Sequence, residues 1–268
     1  MEKKTICSLE EIKKLEEDWE TPFYVYDAKA IQENCFELQE AFSWNKGYRE
    51  YFAVKANPIP QIVSLMTSIG CGCNCSSLPE MVIAESLNSP IMFSSNVTPA
   101  KEYAFAKQHN AIINFDDYSH LPFFLEKVGD FPETVCFRFN PGGTFEVQTA
   151  DGRKIMDNPG EAKYGFTEQQ IYRGVKFCKE HGVNHFGLHA FLASNTLGNE
   201  YYQKLATILF KLAVTIKENF DVHIAFINLS GGIGIPYRPE DKKNDVHVIS
   251  KLVKEAFDSI LVPAGMET

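Results

Sequence analysis

The sequence predicts an α/β protein built on a parallel β/α barrel, and three observations lead there. Short β-branched or aromatic runs alternate with longer amphipathic stretches along most of the chain. Strands separated by helices pair in parallel, because a parallel connection needs a crossover of a dozen or more residues. The 268 residues, 44% of them hydrophobic, also suffice for one large core without a Pro/Gly/Ser linker to divide it.

Residues 1–30 read as an entry segment and 31–268 as the barrel. Met1-Glu2-Lys3-Lys4 leads into charged residues rather than a signal peptide. The run Phe23–Tyr26 precedes the alternation and is set apart from it. Helical patterns then cover Ala28–Phe42, Ile59–Ile69, Pro79–Leu87, Pro99–Lys107, Glu168–Glu180, Tyr201–Asn219 and Val246–Ser259. Strand patterns cover Glu50–Val54, Gly72–Ser76, Ile91–Ser94, Ala111–Phe115, Thr134–Phe139, His185–Phe191 and Ala225–Leu229. The polar, turn-rich insertion Thr149–Pro159 is expected as an exposed loop.

Seven βα units result, one short of a closed (β/α)8 barrel. An eighth strand would begin near Leu261-Val262-Pro263, shortly before Thr268. A parallel barrel short of one strand leaves two apolar edges unpaired, which natural proteins avoid. The expectation is therefore a TIM-type barrel lacking its last strand, in a chain that is part of a longer protein. An open doubly wound sheet is the alternative, since it tolerates any strand number.

The net charge of -9 argues against nucleic acid or an anionic membrane surface as partner, because both demand clustered basic residues. No apolar run is long enough to cross a bilayer, so a cytoplasmic protein is expected. The seven cysteines, an odd number, read as reduced thiols rather than a disulfide framework. Cys71, Cys73 and Cys75 alternate along a strand and could turn thiolates to one face. Zinc sites, however, usually use Cys-x-x-Cys pairs on turns, so these read as buried strand cysteines and no metal is expected.

Barrel active sites lie at the C-terminal ends of the strands. Lys55 closes Tyr51-Phe52-Ala53-Val54, where partial desolvation would favour the nucleophilic free amine. A lysine there can also simply extend out of the rim. Gly231, Gly232 and Gly234 follow the seventh run, and glycines after a late barrel strand let backbone N–H groups approach a phosphate; a tight turn needs them as well. His189 ends the sixth strand, where an imidazole could stack on a planar ligand or fill a structural role. Arg138, inside the fifth run, needs an anionic partner, which a structural ion pair would also supply. An amine, a phosphate loop, a stacking ring and a cation at the ends of four strands converge on pyridoxal 5'-phosphate, which offers an aldehyde, a planar ring and a phosphate.

These residues sit in motifs that resemble the fold-type III pyridoxal-phosphate decarboxylases, the group of diaminopimelate, ornithine and arginine decarboxylases. Thr21-Pro22-Phe23-Tyr24-Val25-Tyr26-Asp27 resembles the entry segment of the diaminopimelate enzymes. Tyr51-Phe52-Ala53-Val54-Lys55-Ala56-Asn57 is similar to the cofactor-lysine motif. Cys73–Glu80, Phe93–Asn96, Ala162–Phe166, Gly187-Leu188-His189 and Ser230–Gly234 follow in the family's order. The resemblance implies the alanine racemase/ornithine decarboxylase kind of barrel, with Lys55 bonded to the cofactor and His189 stacked on its ring. It places Ser194 and the Gly231–Gly234 loop on the phosphate, and Arg138 beside the cofactor.

The implied reaction is decarboxylation of a basic or diamino acid, meso-diaminopimelate to L-lysine first among the candidates, by a homodimer in its full-length form. Ornithine, lysine or carboxynorspermidine as substrate, or a non-catalytic pyridoxal-phosphate-binding regulator, are the alternatives. Alanine racemase shares the fold, but the Ser-Gly-Gly-Ile-Gly loop fits decarboxylases better. Asn74 stands where the family commonly has Asp, Thr98 where it often has Lys, and Phe191 and Ala193 where it usually has His and Gly. The family's Glu-Pro-Gly-Arg motif and C-terminal β-domain are not in this sequence, so the 268 residues alone are expected to be catalytically negligible.

Overall fold

The computed structural model describes residues 5–145 and 159–267. The chain begins with helix α1 (Leu9–Asp18), started by a capping box in which Ser8 and Glu11 satisfy each other's backbone N–H. No residue of α1 is buried. The run Phe23–Tyr26 forms no strand, and α2 (Ala28–Ala41) follows, capped by Asp27.

The repeating units come next. β1 (Tyr51–Ala53) leads to α3 (Pro60–Ser68), β2 (Gly72–Cys75) to α4 (Leu78–Ser86), and β3 (Ile91–Ser94) to α5 (Ala100–Gln108). β4 (Ile112–Phe115) leads to α6 (His120–Lys127), β5 (Thr134–Arg138) to α7 (Glu168–Glu180), β6 (His185–His189) to α8 (Glu200–Phe220), and β7 (His223–Asn228) to α9 (Val246–Ile260). The sequence reading missed α1 and α6. Pro122 looks like a helix breaker, but it lies in the first turn of α6, where its missing N–H has no helical partner to lose. All of the expected loop Thr149–Pro159 except Pro159 lies outside the described residues.

The seven strands pair in chain order, β1 through β7, and every pair is parallel. Sequential order without reversal is the order of a barrel and excludes a doubly wound sheet, whose strand order turns back at a switch point. β1 and β7 are not paired with each other, so the sheet is an open half-barrel. The helices come closer to closing the ring. α9 packs on α2, where Trp44 Nε1 donates to Ser250 Oγ at 2.8 Å and Ser250 donates to the Ala41 carbonyl.

Aromatic residues fill the layer between sheet and helices. Tyr103, Phe115 and Phe124 pack with centroids 5.4–5.5 Å apart, and Phe137 stacks between Phe166 and Phe186. Burying rings of this size, at about 25 cal/mol per Å² of apolar surface, supplies much of the drive to assemble the layer. Cys71, Cys73 and Cys75 are all buried free thiols, and Cys71 Sγ lies 3.3 Å from Cys35 Sγ on α2. Among the described residues no group of His, Cys, Asp or Glu is arranged to hold a metal, and no helix is long and apolar enough to cross a membrane.

Candidate active site

The C-terminal ends of the strands open into a cavity of about 2800 Å³ that continues into the gap between β1 and β7. Lys55, Arg138, His189, Ser194, Gly231 and Gly232 all line it. Gly234 does not. Its N–H donates to the Thr196 carbonyl at 2.9 Å, and a Cβ there would meet the Asn195 backbone at 2.7 Å. Gly234 thus serves the close packing of two loops.

Lys55 departs from the expected position. β1 stops at Ala53, and Val54–Ala56 form one turn of 3-10 helix, closed by the Asn57 N–H on the Val54 carbonyl. That turn swings Lys55 out into the cavity, where it is exposed rather than desolvated. Its Nζ lies 5.6 Å from the centre of the Phe191 ring. The guanidinium of Arg138 lies 5.9 Å from the centre of the same ring, so both basic side chains lie within reach of its π system.

Arg138 has its anionic partner within the protein. Nη1 donates to Asp116 Oδ1 and to Asn96 Oδ1, each at 2.9 Å, and the side chains of the ion pair are only 13% and 6% exposed. Tyr164 covers the guanidinium at 5.1 Å. The turn that carries Tyr164 is bound to the end of β5, with the Phe166 N–H on the Arg138 carbonyl and the Asn140 N–H on the Phe166 carbonyl. Gly165 makes that turn at φ +89, with no room for a side chain against Asn140.

His189, beside Arg138 in the β5–β6 register, is buried. Asn114 Nδ2 lies 2.8 Å from His189 Nδ1; with the amide donating, Nδ1 accepts and the ring carries its hydrogen on Nε2. Burial, reinforced by the positive charge of Arg138, pushes the imidazole pKa down to about 3. The ring is therefore neutral at physiological pH, a flat, uncharged surface suited to a planar ligand.

Two further features bear on what the cavity can hold. The N–H groups of Gly231, Gly232 and Ile233 have no hydrogen-bond partner among the described residues. Nothing lies within 4 Å of where a Cβ of Gly231 would be. Adjacent free N–H groups on a loop make a site for an anion. Asn74 Oδ1, also at the cavity, is buried with no hydrogen-bond partner among the described residues. A primary amine, a neutral ring and a set of free amide donors around one cavity fit a phosphate-bearing aldehyde.

Sequence reasoning missed Asn114, Asp116 and Asn244. The first two had a readable signal: in Ile112-Ile113-Asn114-Phe115-Asp116, two polar residues alternate with apolar ones, which puts both on one face of the chain.

Residues 28–266 match the family model described as pyridoxal-dependent decarboxylase, pyridoxal binding domain. The chain belongs to the pyridoxal-dependent decarboxylases. It is 32% identical over 240 residues to Protein TabA of Pseudomonas amygdali pv. tabaci, covering 88% of this chain and 55% of that one. It is 26% identical over 244 residues to the diaminopimelate decarboxylase of Thermoplasma acidophilum, covering 89% and 58%. The crystal structure of diaminopimelate decarboxylase from M. jannaschii superposes with a TM-score of 0.82 at 26% identity, over 92% of this chain and 59% of that one. The chain thus spans little more than half the length of these relatives.

Proposed function

We propose that this chain is the cofactor-binding barrel of a pyridoxal-phosphate-dependent carboxy-lyase acting on a basic or diamino acid, with meso-diaminopimelate the first substrate to test. The observation that carries this reading is the sharing of one cavity by the Lys55 amine and the free N–H groups of Gly231, Gly232 and Ile233. Lys55 would hold the cofactor covalently. Ser194 and the N–H groups of Gly231, Gly232 and Ile233 would take its phosphate, and neutral His189 would lie against its ring. Arg138, anchored by Asp116, would line the cofactor's side and bring little free charge to it. When bound, pyridoxal phosphate supplies an electron sink for bond breaking at the substrate's α-carbon.

The substrate class rests on relatives named diaminopimelate decarboxylase and on neighbours such as the Helicobacter pylori enzyme complexed with L-lysine. It is drawn no more narrowly because TabA, at 32%, is more similar than the Thermoplasma enzyme at 26%. We read the gap between β1 and β7 as the place of an eighth strand, supplied by the extra length the relatives have, and the working enzyme as a cytoplasmic homodimer. Support for the strand comes from the two unpaired edges and from the closure of α9 onto α2 outside them.

The test is borohydride reduction of the protein with pyridoxal phosphate, followed by peptide mapping. Label on Lys55, lost in Lys55→Ala together with the visible absorbance band, is the expected result. Label on another lysine, or none, overturns the reading.

A further inference from the structure

The candidate anion site is shared by two loops, residues 190–199 after β6 and 229–245 after β7. Their main chains meet in a single isolated bridge, Thr196 to Ile233. In it the Thr196 N–H donates to the Gly232 carbonyl at 2.7 Å and the Gly234 N–H to the Thr196 carbonyl at 2.9 Å. Asparagine side chains extend this contact. Asn195 Oδ1 accepts from the Ile235 N–H at 3.2 Å, and Asn199 Oδ1 from the Asp245 N–H at 3.2 Å.

Asn244 does the most. It is 8% exposed, and its Nδ2 donates to the Thr196 carbonyl at 2.6 Å and to the Gly234 carbonyl at 3.1 Å. Its Oδ1 accepts from the Gly198 N–H at 3.0 Å. Both amide hydrogens and the carbonyl are thus engaged with main-chain atoms on both sides of the bridge. Only an asparagine-sized amide offers this set. An aspartate would set a buried carboxylate against the Thr196 and Gly234 carbonyls.

We propose that Asn244 is a positioning residue that fixes the spacing of these two loops and so holds the Gly231, Gly232 and Ile233 N–H groups ready for the phosphate of the cofactor. Asn244 lines no part of the cavity and, among the described residues, its side chain hydrogen-bonds to the two loops and to no strand, so its effect falls on the loops and reaches the ligand through them. The inference rests on the phosphate reading of the glycine loop.

The test compares the affinities of pyridoxal 5'-phosphate and of pyridoxal, which lacks the phosphate, in wild type, Asn244→Ala and Asn244→Asp. Loss of a buried clasp of hydrogen bonds predicts about tenfold weaker pyridoxal phosphate binding in Asn244→Ala and more in Asn244→Asp. Pyridoxal binding should change by less than about twofold, since it has no phosphate for the clasped N–H groups to hold. Equal loss for both ligands, the signature of general unfolding, overturns the proposal, as does no loss for either. Should the Asn244 variants not fold, Asn195→Gly decides. It removes one stitch at an exposed residue whose φ of 50 glycine accepts, and unchanged pyridoxal phosphate affinity there overturns the proposal. A wild type that binds neither pyridoxal phosphate nor inorganic phosphate sinks the phosphate reading and this inference together; a wild type that binds while its variants bind equally well sinks the inference alone.

Discussion

The neutral, buried state of His189 makes a prediction about stability in mild acid. In the unfolded chain an imidazole takes its proton near pH 6.5; in the folded protein it does so only near 3. Between those values the unfolded state binds one more proton than the native state. Stability from this group is therefore fully present above about pH 6.5 and lost as pH falls towards 3. The slope approaches about 1.4 kcal/mol per pH unit, which gives roughly 2.5 kcal/mol between pH 7 and pH 4.5.

Carboxylates elsewhere also titrate in this range, so the measurement is a difference. Urea unfolding of wild type and of His189→Gln is followed at half-unit steps of pH. Glutamine keeps a polar group facing Asn114 and has no proton to gain. The wild type should lose about 1 to 1.4 kcal/mol per pH unit more than the variant between roughly pH 6 and 4.5. Parallel curves would show that His189 is protonated in the native state, and the account of its burial would be wrong. The His189 imidazole resonance offers a direct check, since it should not titrate above about pH 4.

Two substitutions test the framework around the site. Asp116→Asn keeps an oxygen facing Arg138 but removes the negative charge paired with its largely buried guanidinium, which should cost about 3–5 kcal/mol of unfolding free energy. A double-mutant cycle with Arg138→Met should recover part of that loss. Gly234→Ala forces a methyl group to within 2.7–2.8 Å of the Asn195 and Thr196 main chain and should cost about 1–3 kcal/mol in thermal unfolding. Gly231→Ala, with nothing within 4 Å, should stay within about 0.5 kcal/mol of wild type.

The barrel was legible because its signals are local and repeated. Ile91–Ser94 and Glu168–Glu180 were placed to the residue, the first by its apolar run and the second by its amphipathic pattern; in the structure a capping box of Thr167 and Gln170 fixes the start of the second. Phe23–Tyr26 carries the same β-forming residues but has no neighbouring strand among the described residues. A run of that kind becomes a strand only when another strand takes its hydrogen bonds, and composition does not reveal a partner. Strand ends were overestimated for a related reason. Glu50–Val54 shrank to Tyr51–Ala53 because β1 is an edge with one neighbour, and Val54 turns off into the 3-10 turn that carries Lys55.

The site was legible only in part, and the division follows a physical line. Lys55, His189 and the glycine loop announce themselves by residue type at strand ends. Asp116, Asn114 and Asn244 act on other residues, and what they do depends on which elements the fold brings beside them. Arg138 shows the difference best. From the sequence it was a cation in need of an anionic partner, which a ligand or a structural ion pair could supply. Asp116, twenty-two positions earlier, reaches it only because β4 and β5 are adjacent in the sheet. The pair holds Arg138 at the cavity wall, and from there its positive charge helps to keep His189 neutral. Replacing Asp116 should therefore disturb the titration of His189 as well as the fold.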